Sequence, residues 1–246
     1  KLHLQFVPGV SSTSTITFNG TGGNDSLIFN GQSFQTAVLI EGTSYVTLNN
    51  MTIVNSGASE SFGILLKDGS DSVTISNNTI LMDTTSTSTF NDIVGILTAS
   101  VYDNDNSKGS EVDYLTIQGN TIIGGITGIN LEGNATGDFS LGHRIIGNHI
   151  SRQNTYGVYV DELEDFELIG NTIDNPRGTT DGFYAFDLND FRIVENAIYV
   201  SDYGLYVSDG NDGFLPATRS TIINNMVSSS TDYGIYLSDF ENVEVY

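Results

Sequence analysis

The feature that most constrains this chain is a repeat whose pattern persists while its residues drift. "GVYVDELEDFELIGNTI" (157–173) and "GFYAFDLNDFRIVENAI" (182–198) share a Gly-to-Asn spacing of 14 positions, an apolar pattern and few identical residues. Such a match marks a structural repeat. Aligned on the Asn, the column reads Met51, Asn78, Asn120, Asn148, Asn171, Asn196 and Asn225. Three places earlier stand Leu48, Ile75, Ile117, Ile145, Leu168, Ile193 and Ile222; two places later stand Ile53, Ile80, Ile122, Ile150, Ile173, Ile198 and Val227. A Gly column, Gly63, Gly95, Gly128, Gly157, Gly182, Gly204 and Gly234, leads each copy. The apolar places one beyond each Gly, and most of those three beyond, share a face in a strand, and that face is the expected core.

Each repeat therefore predicts three strands: one after the Gly, one before the Asn and a short one after it. Steps of 23 to 42 residues between copies, most of them 23 to 29, fit an all-β parallel β-helix with one coil per repeat, about 8–9 coils in all. The Asn is expected to take the left-handed or bridge conformation of a turn, and to hydrogen-bond along an internal ladder. The Gly is expected to free the chain to turn into the first strand. The alternative for each Asn is a plain surface turn.

"GIYLSDFENVEVY" (234–246) and "VTISNNTI" (73–80) resemble the repeat of right-handed parallel β-helix proteins of the pectin-lyase-like type. The resemblance covers about residues 44–246; residues 1–43 read as less regular starting coils of the same single domain, 1–246. The repeat is also similar to stretches of very large secreted or surface proteins of gliding and marine bacteria. It implies a fold and leaves function open.

The chain has 8 Lys and Arg against 30 Asp and Glu, a net charge of -22, which argues against nucleic acid and anionic membranes as partners. No Cys is present, so no disulfide framework is expected, and no segment is apolar enough to span a membrane. These traits suit an extracellular or cell-surface protein. The pattern places the next turn Asn near position 248, so the sequence reads as a fragment whose last coil continues into the rest of a longer chain.

Two places after the Gly, the outward column reads Leu65, Leu97, Asn130, Tyr159, Tyr184, Tyr206 and Tyr236, all expected to face solvent. In resembling enzymes this face is the substrate groove. A Tyr line can stack on sugars and hydrogen-bond their hydroxyls, so Tyr159, Tyr184, Tyr206 and Tyr236 are the candidate glycan-binding residues. The alternative is that outward aromatics merely favour strands. Tyr156, Tyr203 and Tyr233 lie just before the Gly.

A carboxylate line follows the strand at Asp68, Glu162, Asp187, Asp209 and Asp239, and Asp181, Asp202 and Asp232 precede it. Paired carboxylates serve glycoside hydrolases, and Asp161, Asp181, Asp187 and Asp202 are the candidates for that chemistry. Acids in turns that keep the surface soluble are the plainer account. Polygalacturonase-like enzymes carry a histidine motif after two Asp motifs; here "GHR" (142–144) precedes "TTDGF" (179–183). Lyases of this fold use Arg or Lys, and by column none stands at the outward place of the first strand. The leading expectation is thus a β-helical module for adhesion or glycan binding, with a hydrolase or a structural stalk as alternatives.

No cofactor is required by this reading, though calcium is a candidate. "YDNDNSKGSEVD" (102–113) spaces Asp103, Asp105, Glu111 and Asp113 as oxygen ligands, and Asp68 and Asp71 occupy the same turn one coil earlier. "GTGGNDSLIF" (20–29) resembles a single calcium-binding nonapeptide repeat. Solvated acidic loops are the alternative.

Overall fold

The computed structural model describes residues 1–21, 26–29, 35–57, 59–85, 93–101, 108–134, 138–175, 180–210, 220–229, 231–240 and 243–246. Strands recur in threes, and every pairing between them runs parallel. The leading stack runs from Leu2–Gln5 through Gln35–Glu41, Ser61–Lys67, Ile93–Thr98 and Thr127–Glu132. It continues through the first parts of Tyr156–Ile169 and Asp181–Val194 to Leu205–Gly210 and Ile235–Phe240. The third stack is a separate eight-stranded sheet, from Ser26–Phe29 to Met226–Ser228. Alternating burial along the short middle and third-stack strands, repeated from coil to coil, goes with a solenoid that has one long core, while several leading strands are buried along their whole length.

Expectation and structure differ where leading and middle strands meet. They are separate in most coils, but Tyr156–Ile169 and Asp181–Val194 are each a single strand of 14 residues. In these coils no loop separates the two strands. The corner is made by left-handed residues within the strand, Glu162 and Asp165 in one coil and Asp187 and Asp190 in the next.

The inward columns are the core. Ile64, Ile96, Ile129, Val158, Phe183 and Leu205 are all 0% exposed, as are Ile75, Ile117, Ile145, Leu168 and Ile193. Each such side chain contributes roughly 1.5–3 kcal/mol of burial. In the last described coil Ile235 is 40% exposed.

The turn column is a hydrogen-bonded ladder. Asn148 Oδ1 accepts the backbone N–H of Asn120 at 2.8 Å and its Nδ2–H at 3.0 Å. Asn148 Nδ2 donates in turn to Asn171 Oδ1 at 3.0 Å and to the Ile117 carbonyl at 2.9 Å. The same bonds recur from Asn78 to Asn225. The left-handed conformation expected of these Asn belongs to the residue before them: Asn77, Gly119, Gly147, Gly170, Glu195 and Asn224 have φ between 54° and 64°. The ladder Asn turns inward because its neighbour makes the corner.

The Gly column also has a different cause from the one expected. None of its members has positive φ. A Cβ on Gly128 would sit 2.6 Å from the Gly157 carbonyl oxygen and 2.7 Å from Ile150 Cγ2. On Gly182 it would meet Ile198 Cγ2 at 2.4 Å and the Gly204 oxygen at 2.5 Å. Gly is needed because the backbones of successive coils and the third-stack Ile converge there, leaving no room for a side chain.

Candidate functional site

The outward column lies in register across the leading stack: Leu39, Leu65, Leu97, Asn130, Tyr159, Tyr184, Tyr206 and Tyr236 are successive partners. Outward does not mean exposed along its whole length. Leu65 and Leu97 are 0% exposed and Asn130 is 4% exposed. Leu39, Phe62, Leu65, Val94, Leu97 and Ala99 form an apolar cluster of their own, apart from the solenoid core. The expectation that Leu65, Leu97 and Asn130 face solvent is therefore corrected.

The four tyrosines behave differently. Tyr159, Tyr184, Tyr206 and Tyr236 are half-buried and stacked nearly parallel. Ring centroids are 6.2 Å apart for Tyr159 and Tyr184, 4.2 Å for Tyr184 and Tyr206, and 4.9 Å for Tyr206 and Tyr236. A second row runs beside them. Tyr156 lies 5.3 Å from Tyr159 and 5.2 Å from Tyr184; Tyr203 lies 5.3 Å from Tyr206; Tyr233 lies 5.5 Å from Tyr236. Phe186 closes the opposite side, 5.2 Å from Tyr184 and 5.8 Å from Tyr206, a member that the column pattern did not single out. Seven of the twelve tyrosines thus line one face of four coils. Because the inner ring faces cover one another, the row presents edges and hydroxyls, and sugar stacking is confined to the outer surfaces. Burial raises the hydroxyl pKa of Tyr159, with Glu132 and Asp161 adding to it, and burial raises that of Tyr184, which is hydrogen-bonded to Tyr206. These phenols stay neutral and serve as both donors and acceptors.

The four candidate acids fall into two groups. Asp181 stands in register with Tyr156 at the start of the strand, with Asp202 and Asp232 beside it. Its Oδ1 accepts the Tyr203 N–H at 3.0 Å. Burial, with Asp202 and Asp232 adding repulsion, raises its pKa to about 6. Asp161 lies five residues further along the strand direction, roughly 16 Å away at about 3.3 Å per residue. There Lys108 Nζ contacts Asp161 Oδ2 at 2.9 Å and Glu162 Oε1 at 3.0 Å. Asp187 has φ 45° and is a corner residue, as are Asp68 (φ 54°), Glu162 (φ 55°) and Asp239 (φ 58°). That carboxylate line is thus mainly a line of left-handed turns, which Asp tolerates well; the side chain of Asp209 lies outside the described residues.

The basic residues need one correction. Although none stands at the outward place itself, two lysines reach the outer side of the leading stack. Lys67 pairs with Asp68 at 3.1 Å and Glu41 at 3.5 Å, and Lys108 arrives from an insertion. Arg144 and Arg192 flank Glu167 in the middle stack. His143 of the "GHR" motif is fully buried, its Nδ1 accepts the Leu115 N–H, and burial lowers its pKa to about 4. It is a backbone cap rather than a proton donor to a substrate.

Of the calcium candidates, Asp103 and Asp105 lie outside the described residues. Asp71 Oδ1 accepts the Asp113 N–H at 2.9 Å, and Asp113 Oδ1 accepts the Leu141 N–H at 2.7 Å, so both tie coil to coil. Asp68 pairs with Lys67, and Glu111 is an exposed corner with φ 51°. Burial raises the pKa of Asp71, with Asp113 and Glu111 adding repulsion. Among the described residues no group of three or more His, Asp or Glu is arranged to hold a metal ion. Among the described residues no helix is long and apolar enough to cross a membrane.

No curated protein matches this sequence. A solved structure to which the chain is similar is a mutant of a periplasmic alginate epimerase, at 12% identity and a TM-score of 0.29, covering 99% of this chain and 76% of that one. The family described as "Right handed beta helix region" matches residues 81–246. With the parallel three-strand coils above, this match shows that the chain belongs to the right-handed β-helix family.

Proposed function

We propose that this domain is a β-helical module of an extracellular or cell-surface protein that binds a glycan along its tyrosine face. The supporting observation is the gathering of Tyr156, Tyr159, Tyr184, Tyr203, Tyr206, Tyr233 and Tyr236 on one half-exposed face. An aromatic patch of that extent on a monomer usually marks an interaction site. Its hydroxyls and ring edges repeat at the coil spacing of about 4.8 Å, which suits an extended polymer lying across the strands. The test is retention of the domain on a panel of immobilised polysaccharides. Wild type is retained by at least one, and the Tyr184→Ala, Tyr206→Ala double variant is not; equal retention of both removes the tyrosine face from the account.

A second reading draws on Asp181, whose pKa is raised to about 6 beside Asp202 and Asp232. A protonated carboxyl near an ionised one is the arrangement that glycoside hydrolysis uses. In that reading Asp181 is the acid and Asp202 the second carboxyl group. Asp161 and Asp187, at the far end of the strand, have no part in it. Oligosaccharide release that disappears in Asp181→Asn identifies a hydrolase, and retention without release identifies a binding module. Silence in both assays leaves a structural stalk.

A further inference from the structure

The two ends of the tyrosine face are both acidic but differ in a way that narrows what the face takes. At the far end a lysine, Lys108, pairs with Asp161 and Glu162. At the near end the row before the Gly reads Tyr156, Asp181, Tyr203, Tyr233, so a carboxylate replaces one aromatic rung. Asp181 is recessed at 9% exposure, while Asp202 is half-buried and Asp232 exposed. Tyr203 stacks on Tyr233 at 5.9 Å, and its hydroxyl is hydrogen-bonded to Asp232. Among the described residues no Lys, Arg or His is ion-paired with these three acids. A carboxylate standing in an aromatic row, with tyrosines on the rungs to either side, suits a cation by charge and by cation–π attraction.

Resting on the glycan reading above, we infer that the ligand is a cationic, amino-sugar polysaccharide, with a protonated amine seated at Asp181 between Tyr156 and Tyr203. The net charge of -22 disfavours polyanionic glycans over the whole surface, and at the near end of this face a cation meets three carboxylates with no ion-paired base among the described residues. An extended peptide is the poorer match, because its residues advance roughly 3.3 Å against a rung spacing of about 4.8 Å.

The test compares three probes by calorimetric titration in low-salt buffer just above pH 6, where the Asp181 carboxylate and the sugar amine both carry charge: chitosan hexasaccharide, its fully N-acetylated counterpart and hexalysine. Chitosan is expected to bind roughly tenfold more tightly than either of the others, a single well-placed charge contact. Asp181→Asn keeps an acceptor for the Tyr203 N–H and should reduce that preference to within about twofold, with Asp202→Asn giving a smaller loss in the same direction. Circular dichroism confirms that both variants are folded. Equal binding of chitosan and the acetylated sugar overturns the inference while the glycan reading stands. Hexalysine binding as tight as chitosan overturns it in favour of a charge-only surface. No binding of either sugar, when another polysaccharide is retained, also overturns it; no binding of any polysaccharide overturns both readings.

Discussion

Two halves of one sheet face occupy the same column and have opposite fates. Leu39, Leu65 and Leu97 point outward from the solenoid yet are sealed in a second apolar cluster. Tyr159, Tyr184, Tyr206 and Tyr236 continue the same line and are half-exposed. Asn130, in register with Leu97 and Tyr159, marks the change. Strand periodicity fixes which side of the sheet a residue is on; it does not fix whether that side meets water. Residue chemistry carries the second message. Leu suits the sealed half, and Tyr, with a polar tip on an apolar ring, suits the half that is partly wet.

The comparison breaks most visibly in the sealed half. Leu97→Ala should destabilise the fold by about 3 kcal/mol, the usual range for a buried Leu, as read from urea unfolding. A loss near zero would mean that the outer cluster is not sealed in solution. Removing a ladder amide ranks next. Asn171→Ala leaves the Asn148 N–H and the Ile145 carbonyl without their partners, at a cost of about 2 kcal/mol. Because each ladder amide links its neighbours, the lost protection against hydrogen exchange should centre on the adjacent coils. In the open half, Tyr206→Ala should cost only about 1 kcal/mol of stacking while abolishing glycan retention. A large stability loss there would make the tyrosines structural, like the leucines.

The smallest expected effect is a pH slope. Asp181 has a folded pKa of about 6, above its ordinary 3.8, so the folded state binds the proton more tightly. Its contribution favours folding below pH 3.8 and is lost as pH rises through about 6. The urea midpoint of wild type should therefore fall relative to Asp181→Asn across that window. Parallel curves would show that Asp181 is not held in its protonated form.

Much of the fold is legible in the sequence because apolar columns report the core directly. Ile75, Ile117 and Ile145 could be placed inside from spacing alone, and they are buried. What spacing hides is why a conserved-looking column takes its residue. Gly128 serves a close approach between coils rather than a turn, and the corner before Asn148 is made by Gly147. Both facts depend on contacts between coils. The site is legible to a similar degree. The Tyr row and the acids before the strand follow from the alignment. The separation of Asp161 from Asp181 follows only once strand length is known, and the partnership of Asp161 with Lys108 crosses from an insertion that the repeat does not describe. Phe186 escaped because it stands two places beyond the tyrosine column, on the same face.

The most direct test of the tyrosine face is its own light. The chain has 12 Tyr and no Trp, and seven of those Tyr line this face, so intrinsic tyrosine emission is weighted toward it. Titrating the retained polysaccharide into wild type should give a saturable change in emission that vanishes in the Tyr184→Ala, Tyr206→Ala variant. The same saturable change in both proteins, or a bound complex with no change in emission, would contradict a binding surface built on these tyrosines.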